Sequence, residues 1–417
     1  MRISRRSMFR RTSAVLGSLG ISSLRVFPQE PAKDPFSDLK SMTTGITRLT
    51  PSDLAARMEK ARNLMIQKKF DALYLNGGTS MEYFVGIRWG LSERMFALLI
   101  PARGEVAYVC PKFEEGRARE LVRLGTDIRT WEEDQSPYLL VKEVLLDRKI
   151  ATGTIGIEPS VREFVVDGLQ KACPSARIVN GEDITQGCRM IKSKKELDHM
   201  ALACEITQKA YDAALRTVRK GMSQGELSRN VSLAHTRLGA SGGGSVSFGP
   251  NSASPHGSIV DRTLKPGDVI LIDGGCRVEG FSSDVTRTVV FGKPSEKLQK
   301  VWDIVKKAQD AARAAAKPGV PCEEVDAAAR RVVVDAGFGP GYKYFTHRVG
   351  HGIGMDGHEY PYLVRGNKLP LQPGMTFSDE PGIYIVGEFG VRIEDVIHIT
   401  DDGALFFRNT TPTLQTY

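Results

Sequence analysis

None of the six cysteines, Cys110, Cys173, Cys188, Cys204, Cys276 and Cys322, lies close enough to another to form a Cys-x-x-Cys pair. That excludes zinc knuckles and thioredoxin-like redox motifs; the six read as structural free thiols, with a disulfide left open should the chain be exported. A membrane anchor is missing as well. The mildly apolar stretch from Ala14 to Leu24 is broken by Gly and Ser and is too short and too polar to span a bilayer, so no stable membrane insertion is expected. Basic charge is scarce outside the N-terminus. Of the net +8, six charges come from Arg2, Arg5, Arg6, Arg10, Arg11 and Arg25, all ahead of the first acid, Glu30. The remainder is close to neutral, and nucleic acid is not expected as a partner. With 41% hydrophobic and 25% charged residues, the composition is that of a globular chain and not a disordered one.

Residues 1–30 read as a twin-arginine signal. Ser4-Arg5-Arg6-Ser7-Met8-Phe9 approximates the twin-arginine pattern, and the Gly/Ser-containing apolar stretch follows it. The expectation is export to the periplasm or another extracytoplasmic site, or a cytoplasmic protein if the segment is only a basic tail.

A chain of 417 residues exceeds one ordinary core and suggests two domains plus extensions. Helical periodicity begins after Pro51 with Leu54, Met58, Ala61 and Leu64-Met65. A buried strand is predicted at Asp71–Leu75, a pair of strands over 96–109 around Pro101-Ala102-Arg103-Gly104, a short strand at Thr154–Ile157 and a helix from Val161 to Lys171. This alternation predicts an α/β domain over 50–186 and a boundary near Cys188–Ser193. Residues 187–412 form the second domain. It opens with helix-forming sequence from Lys195 to Arg219 and carries apolar stripes at Leu298, Val301, Trp302, Val305 and at Val325, Ala328, Ala329, Val332, Val333.

Five residues of this second domain could hold two metal ions: Asp273, Asp284, His351, Glu380 and Glu394. Asp273 closes the apolar run Asp268–Ile272, predicted as a strand ending at Gly274-Gly275, and Asp284 opens the β-rich run to Val290. His351 lies in Gly350-His351-Gly352-Ile353-Gly354, Glu380 in Glu380-Pro381-Gly382-Ile383-Tyr384, and Glu394 in Arg392-Ile393-Glu394-Asp395. Each acid pair can sit on neighbouring antiparallel strands with both carboxylates on one side, so two facing hairpins would converge four carboxylates. Acids beside apolar strands are costly unless their charge is offset, and two cations would offset it. An O-rich donor set with one imidazole and no thiolate suits Mn or Co, with Zn or Fe possible.

The order and context of these motifs resemble the pita-bread metallopeptidases, in the aminopeptidase P and prolidase branch. That resemblance implies an α/β creatinase-like N-terminal domain followed by an α+β pita-bread catalytic domain. It also implies a dinuclear site in which Asp273, Asp284 and Glu394 hold one ion and Asp284, Glu394, His351 and Glu380 the other. Glu380 would pass a proton from the activated water, a hydroxide at neutral pH, to the leaving amine. His256 and His358 match substrate-side catalytic histidines, His347 a third histidine lining the pocket, and Arg392 an arginine near the far end of a peptide substrate. The implied activity is hydrolysis of the bond preceding proline, in dipeptides or at peptide N-termini, by a homodimer. A methionine-type aminopeptidase, a metal-free creatinase-like amidinohydrolase and a non-catalytic peptide-binding protein are the alternatives.

Overall fold

A computed structural model describes residues 34–408 and 411–417, so residues 1–30, expected to direct export, lie outside the described residues. The N-terminal domain is built on six strands: β1 Ala72–Asn76, β2 Ala97–Pro101, β3 Ala107–Pro111, β4 Asp127–Trp131, β5 Thr154–Ile157 and β6 Arg177–Asn180. Their order is β4-β3-β2-β1-β5-β6, with β1–β2 and β2–β3 antiparallel and the remaining pairs parallel. β1, β2 and β3 are buried along their whole length, as their near-continuous apolar sequence requires when helices cover both faces. The covering helices are α1 Pro51–Lys68, α2 Thr79–Val85, α3 Glu115–Leu121, α4 Pro137–Asp147, α5 Glu163–Ala172 and α6 Glu182–Arg189. α1 starts cleanly because Thr50 caps Asp53 N while the Asp53 carboxylate accepts from Thr50 N, and it buries Leu54, Met58, Ala61 and Met65.

The second domain begins with α7 Lys194–Leu215, capped by Ser193 and Glu196 in the same reciprocal manner. Glu196 also takes a buried ion pair from Arg57 of α1 at 2.6 Å, joining the two domains. α8 Gln224–Arg237 follows, then β7 Ser241–Phe248, β8 Val269–Val278, β9 Phe281–Ser282 and β10 Val285–Val290, in the order β10-β8-β7 with β9 on β8. The pattern then repeats: α9 Glu296–Ala315 and α10 Cys322–Asp335 precede β11 Gly350–Gly352, β12 Glu359–Leu363, β13 Thr376–Asp379, β14 Gly382–Ile385, β15 Phe389–Arg392, β16 Asp395–Ile399 and β17 Ala404–Phe406. Five of these strands form the sheet β12-β11-β13-β16-β17, and β14–β15 make a separate ribbon. The stripes Leu298, Val301, Trp302, Val305 and Val325, Ala329, Val333 fill the core against this sheet, while Ala328 and Val332 are only half-buried. The two halves meet at a bridge between Thr286 and Glu394.

One sequence expectation is corrected here. Asp273 does not end its strand: β8 continues through Gly274-Gly275 to Val278, paired on one side with β7 and on the other with β10. The glycines serve close approach, since a Cβ on Gly275 would overlap the Ser283 carbonyl. All six cysteines are buried and unpaired, and no described helix is long and apolar enough to cross a membrane.

Candidate metal centre and active site

Asp273 lies within the β8–β10 ladder, facing Thr286 across the pair, and Asp284 immediately precedes β10. Glu380 and Glu394 sit in the two breaks where the chain leaves the five-stranded sheet for the β14–β15 ribbon and returns from it. At such breaks the backbone leaves its neighbouring strands' ladder, Glu394 bridging instead to Thr286, and a side chain can be aimed inward. The same holds for His351, where the β11–β12 register shifts between His351 and Gly352.

The nine residues singled out from sequence, Asp273, Asp284, His351, Glu380, Glu394, His256, His347, His358 and Arg392, line one cavity of about 320 Å³ together with Pro255, Gly274 and Arg348. Donor atoms of Asp273, Asp284 and Glu394 lie within 4.8 Å of one another, as do those of His351, Glu380 and Glu394 and those of Asp284, His351 and His358. His351 Nε2 is 3.3 Å from Glu380 Oε1 and 3.9 Å from Asp284 Oδ2. Its Nδ1 bonds the Gly352 carbonyl at 3.1 Å, so the proton belongs on Nδ1 and the Nε2 lone pair faces the carboxylates.

Without counter-charge this arrangement is strained electrostatically. Burial, reinforced by Asp273 and Glu380, drives Asp284 well above the usual carboxylate range; burial and Asp284 do the same to Glu394. Burial carries Glu380 up to about 7 against the pull of Arg392. Burial also lowers His351 to about 3, which keeps the imidazole neutral, its ligand form. Crowded carboxylates of raised pKa beside a neutral imidazole fit a pair of divalent cations, which would relieve the repulsion and accept every donor in the set.

The residues around these donors were less visible in the sequence. Thr286 Oγ1 contacts both Asp273 Oδ1 at 3.0 Å and Glu394 Oε2 at 2.6 Å, tying acids from the two halves. Tyr384 Oη accepts from Arg392 Nη1 at 2.8 Å and lies 2.8 Å from His347 Nε2. His347 Nδ1 is taken by the Arg348 carbonyl, and burial next to Arg392 lowers this histidine to about 3, so Tyr384 donates to a neutral ring. Thr286 lies in the β-rich run opened by Asp284 and Tyr384 in the Glu380–Tyr384 motif, yet nothing in the sequence revealed what the two hydroxyls touch. Arg392 was expected near the far end of the substrate. It does line the cavity, but its donors go to Asp273 Oδ2 at 2.6 Å, Thr286, Tyr384 and the Pro255 carbonyl, which makes it the anchor of Asp273. His256 and His358 are the exposed histidines of the cavity, and the His358 ring stacks on His351 with centroids 3.6 Å apart.

Comparison with known proteins is consistent along the chain. The profile of the Creatinase/Prolidase N-terminal domain matches residues 57–191, and that of Metallopeptidase family M24 matches residues 198–401. A probable dipeptidase PepE of Mycobacterium tuberculosis is 34% identical over 88% of this chain and 97% of its own length. A Xaa-Pro dipeptidase of Lactobacillus helveticus is 32% identical over 86% of this chain and 98% of its own. The crystal structure of a prolidase from Thermococcus sibiricus superposes with a TM-score of 0.80 at 32% identity, covering 88% of this chain and 99% of that one. Matched in both of its domains and over nearly the full length of these relatives, the chain belongs to metallopeptidase family M24, in the two-domain form with a creatinase/prolidase-type N-terminal domain.

Proposed function

We propose that this M24 peptidase is a metal-dependent exopeptidase that hydrolyses the Xaa-Pro bond of dipeptides or of peptide N-termini. The observation that carries the proposal is the convergence, in one cavity, of four carboxylates and a neutral imidazole with two exposed histidines at the rim. The names borne by the relatives support the substrate class. Asp273, Asp284 and Glu394 would hold one ion and Asp284, Glu394, His351 and Glu380 the other, with an oxygen-rich donor set that favours Mn over softer choices. When bound, such a pair lowers the pKa of an intervening water and polarises a carbonyl. Glu380 would take the proton released and deliver it to the proline nitrogen, which departs as a secondary amine.

Proline after the scissile bond makes a tertiary amide with no N–H to offer, so recognition rests on donors from the enzyme. His256 and His358 are free to supply them to the developing oxyanion. His347 and Arg392, engaged with Tyr384 and Asp273, form the fixed wall against which the substrate lies. We further propose that the protein works as a homodimer and is exported through residues 1–30. The central test is hydrolysis of Ala-Pro, Ala-Ala and a longer Ala-Pro peptide by protein of measured metal content. Efficient cleavage of the Ala-Pro substrates with little of Ala-Ala is expected; equal cleavage of Ala-Ala and Ala-Pro would refute the specificity.

A further inference from the structure

His358 stands at the end of a loop between β11 and β12 whose start is tied to Thr376 and Ser282 of its own domain, and whose charged residues next to the histidine are held from the N-terminal domain and the segment after it. The ring itself is exposed, and its contacts are the stack on His351 and a 3.5 Å approach of Arg348 Nη2 to Nδ1. One stack and one long contact do not fix an imidazole's tilt. The first part of the loop is packed: Ile353 and Met355 are buried in the same apolar cluster as Met81 and Phe84 of α2. The two residues that bracket the histidine are held by charge. Asp356 accepts from Thr79 Oγ1 at 2.6 Å and from Arg189 Nη2 at 2.5 Å. Glu359, directly after His358, accepts from the same Arg189 nitrogen at 2.6 Å and from Lys192 Nζ at 2.7 Å.

Thr79 opens α2, Arg189 closes α6, and Lys192 lies in the segment between the domains. The Arg189 and Glu359 side chains are only 11% and 7% exposed, so water screens their attraction little. On its other side Arg189 Nη1 reaches Ser80 Oγ at 3.4 Å, and Ser80 in turn bonds Glu158. A cavity of about 170 Å³ between the domains, lined by Glu158, Thr185, Tyr360 and Tyr362 among others, also has His358 on its wall. His358 therefore separates this interdomain space from the metal cavity, and the guanidinium that pins its flanking residues belongs to the domain without metal ligands.

We propose that Arg189 is a positioning residue for peptide hydrolysis: through Asp356 and Glu359 it fixes the orientation of His358 toward the substrate. The proposal rests on the reading of His358 as a substrate-facing donor. Its chemistry is simple. Without the guanidinium, two neighbouring carboxylates lose their shared cation, repel, and let the loop swing; a displacement near 1 Å at a catalytic group costs on the order of a hundredfold in rate.

The test is a double-mutant cycle on Ala-Pro hydrolysis with Arg189→Met, His358→Ala and the pair, each assayed for bound metal. If Arg189 acts through His358, Arg189→Met lowers kcat by roughly ten- to a hundredfold with wild-type metal content, and the double variant is no slower than His358→Ala alone. Amide hydrogen exchange over residues 353–363, measured without substrate, should be faster in Arg189→Met. Additive losses in the cycle, or wild-type exchange in that loop, would overturn the proposal. Should Arg189→Met fail to fold, Thr79→Val removes one hydrogen bond and no charge from the same clamp and is judged by the same two criteria. Absence of Ala-Pro hydrolysis in the wild type would instead sink the Xaa-Pro reading, while the exchange measurement still decides whether the clamp exists.

Discussion

Glu394 shows how much one side chain can be asked to do. Its carboxylate meets Thr286 from the opposite half-domain, its backbone N and O pair with the same residue at 3.1 and 3.3 Å, and it belongs to two of the three donor groupings. Asp284 is likewise shared between groupings, whereas Asp273 belongs to one. Asp284→Ala and Glu394→Ala should therefore lose both ions and essentially all activity, while Asp273→Asn, which keeps one donor oxygen, should be milder. Elemental analysis of the purified variants checks the order. His358 offers a sharper choice, because it lies near Asp284 and His351 yet stands exposed. His358→Ala should keep bound metal near wild type and lower kcat by about ten- to a thousandfold, the loss of a transition-state donor. Metal loss in that variant would make His358 a ligand. Tyr384→Phe removes the hydroxyl between Arg392 and His347 and leaves Nε2 of the half-buried His347 without its donor, at a cost of about 1 kcal/mol. Urea unfolding should register it, together with reduced turnover.

At the scale of single elements, the caps and stripes follow rules local enough to read in advance. The α1 cap is one such case, and it carries a pH dependence. Asp53 is held down to about 2, first by the Lys195 side chain and then by Thr50. A carboxylate lowered in the folded state adds stability above its ordinary value of 3.8, and this is lost as pH falls through about 2. Because Asp53 is partly exposed, solvent screening limits the effect to about 1 kcal/mol or less. Asp53→Asn should thus be less stable than wild type in urea at pH 7, with the gap narrowing toward pH 3; a constant gap would show that charge is not the cause.

Other features were hidden for a physical reason. The five proposed ligands were legible because metal binding demands particular residue types in short motifs. Thr286 and Glu394 are 108 residues apart and Arg189 and Glu359 are 170 apart, so their contacts exist only once distant strands have docked. The order β4-β3-β2-β1-β5-β6 is non-local in the same sense. The continuation of β8 through Gly274-Gly275 ran against the usual meaning of paired glycines, because close approach to a neighbouring strand leaves the same mark as a turn.

For the whole molecule, bound ions and folding are coupled. Ligands from both halves of the second domain surround the same cavity, so cations that bind only the folded state add stability by mass action, about 2.7 kcal/mol at a hundredfold excess over Kd. Chelation should abolish hydrolysis and lower Tm by several degrees, with Mn or Co restoring both; an unchanged Tm would indicate that the ions, if present, lie elsewhere. Replacing Arg5 and Arg6 by Lys should retain the precursor in the cytoplasm without changing the purified activity. Delivery of that variant to the periplasm would rule out the twin-arginine route.

The bridge between Thr286 and Glu394 has a consequence for how the enzyme could be taken apart. The short connection from β10 to α9 separates a piece contributing Asp273 and Asp284 from one contributing His351, Glu380 and Glu394, and the extreme C-terminus returns to pair with β10 at Val290. Neither piece holds all five proposed ligands: the first has Asp273 and Asp284, the second His351, Glu380 and Glu394. A chain severed between Phe291 and Ser295 should thus behave as two inert fragments that reassemble on contact. Divalent metal would act as the glue, so that turnover in a mixture of the fragments reports reunion itself.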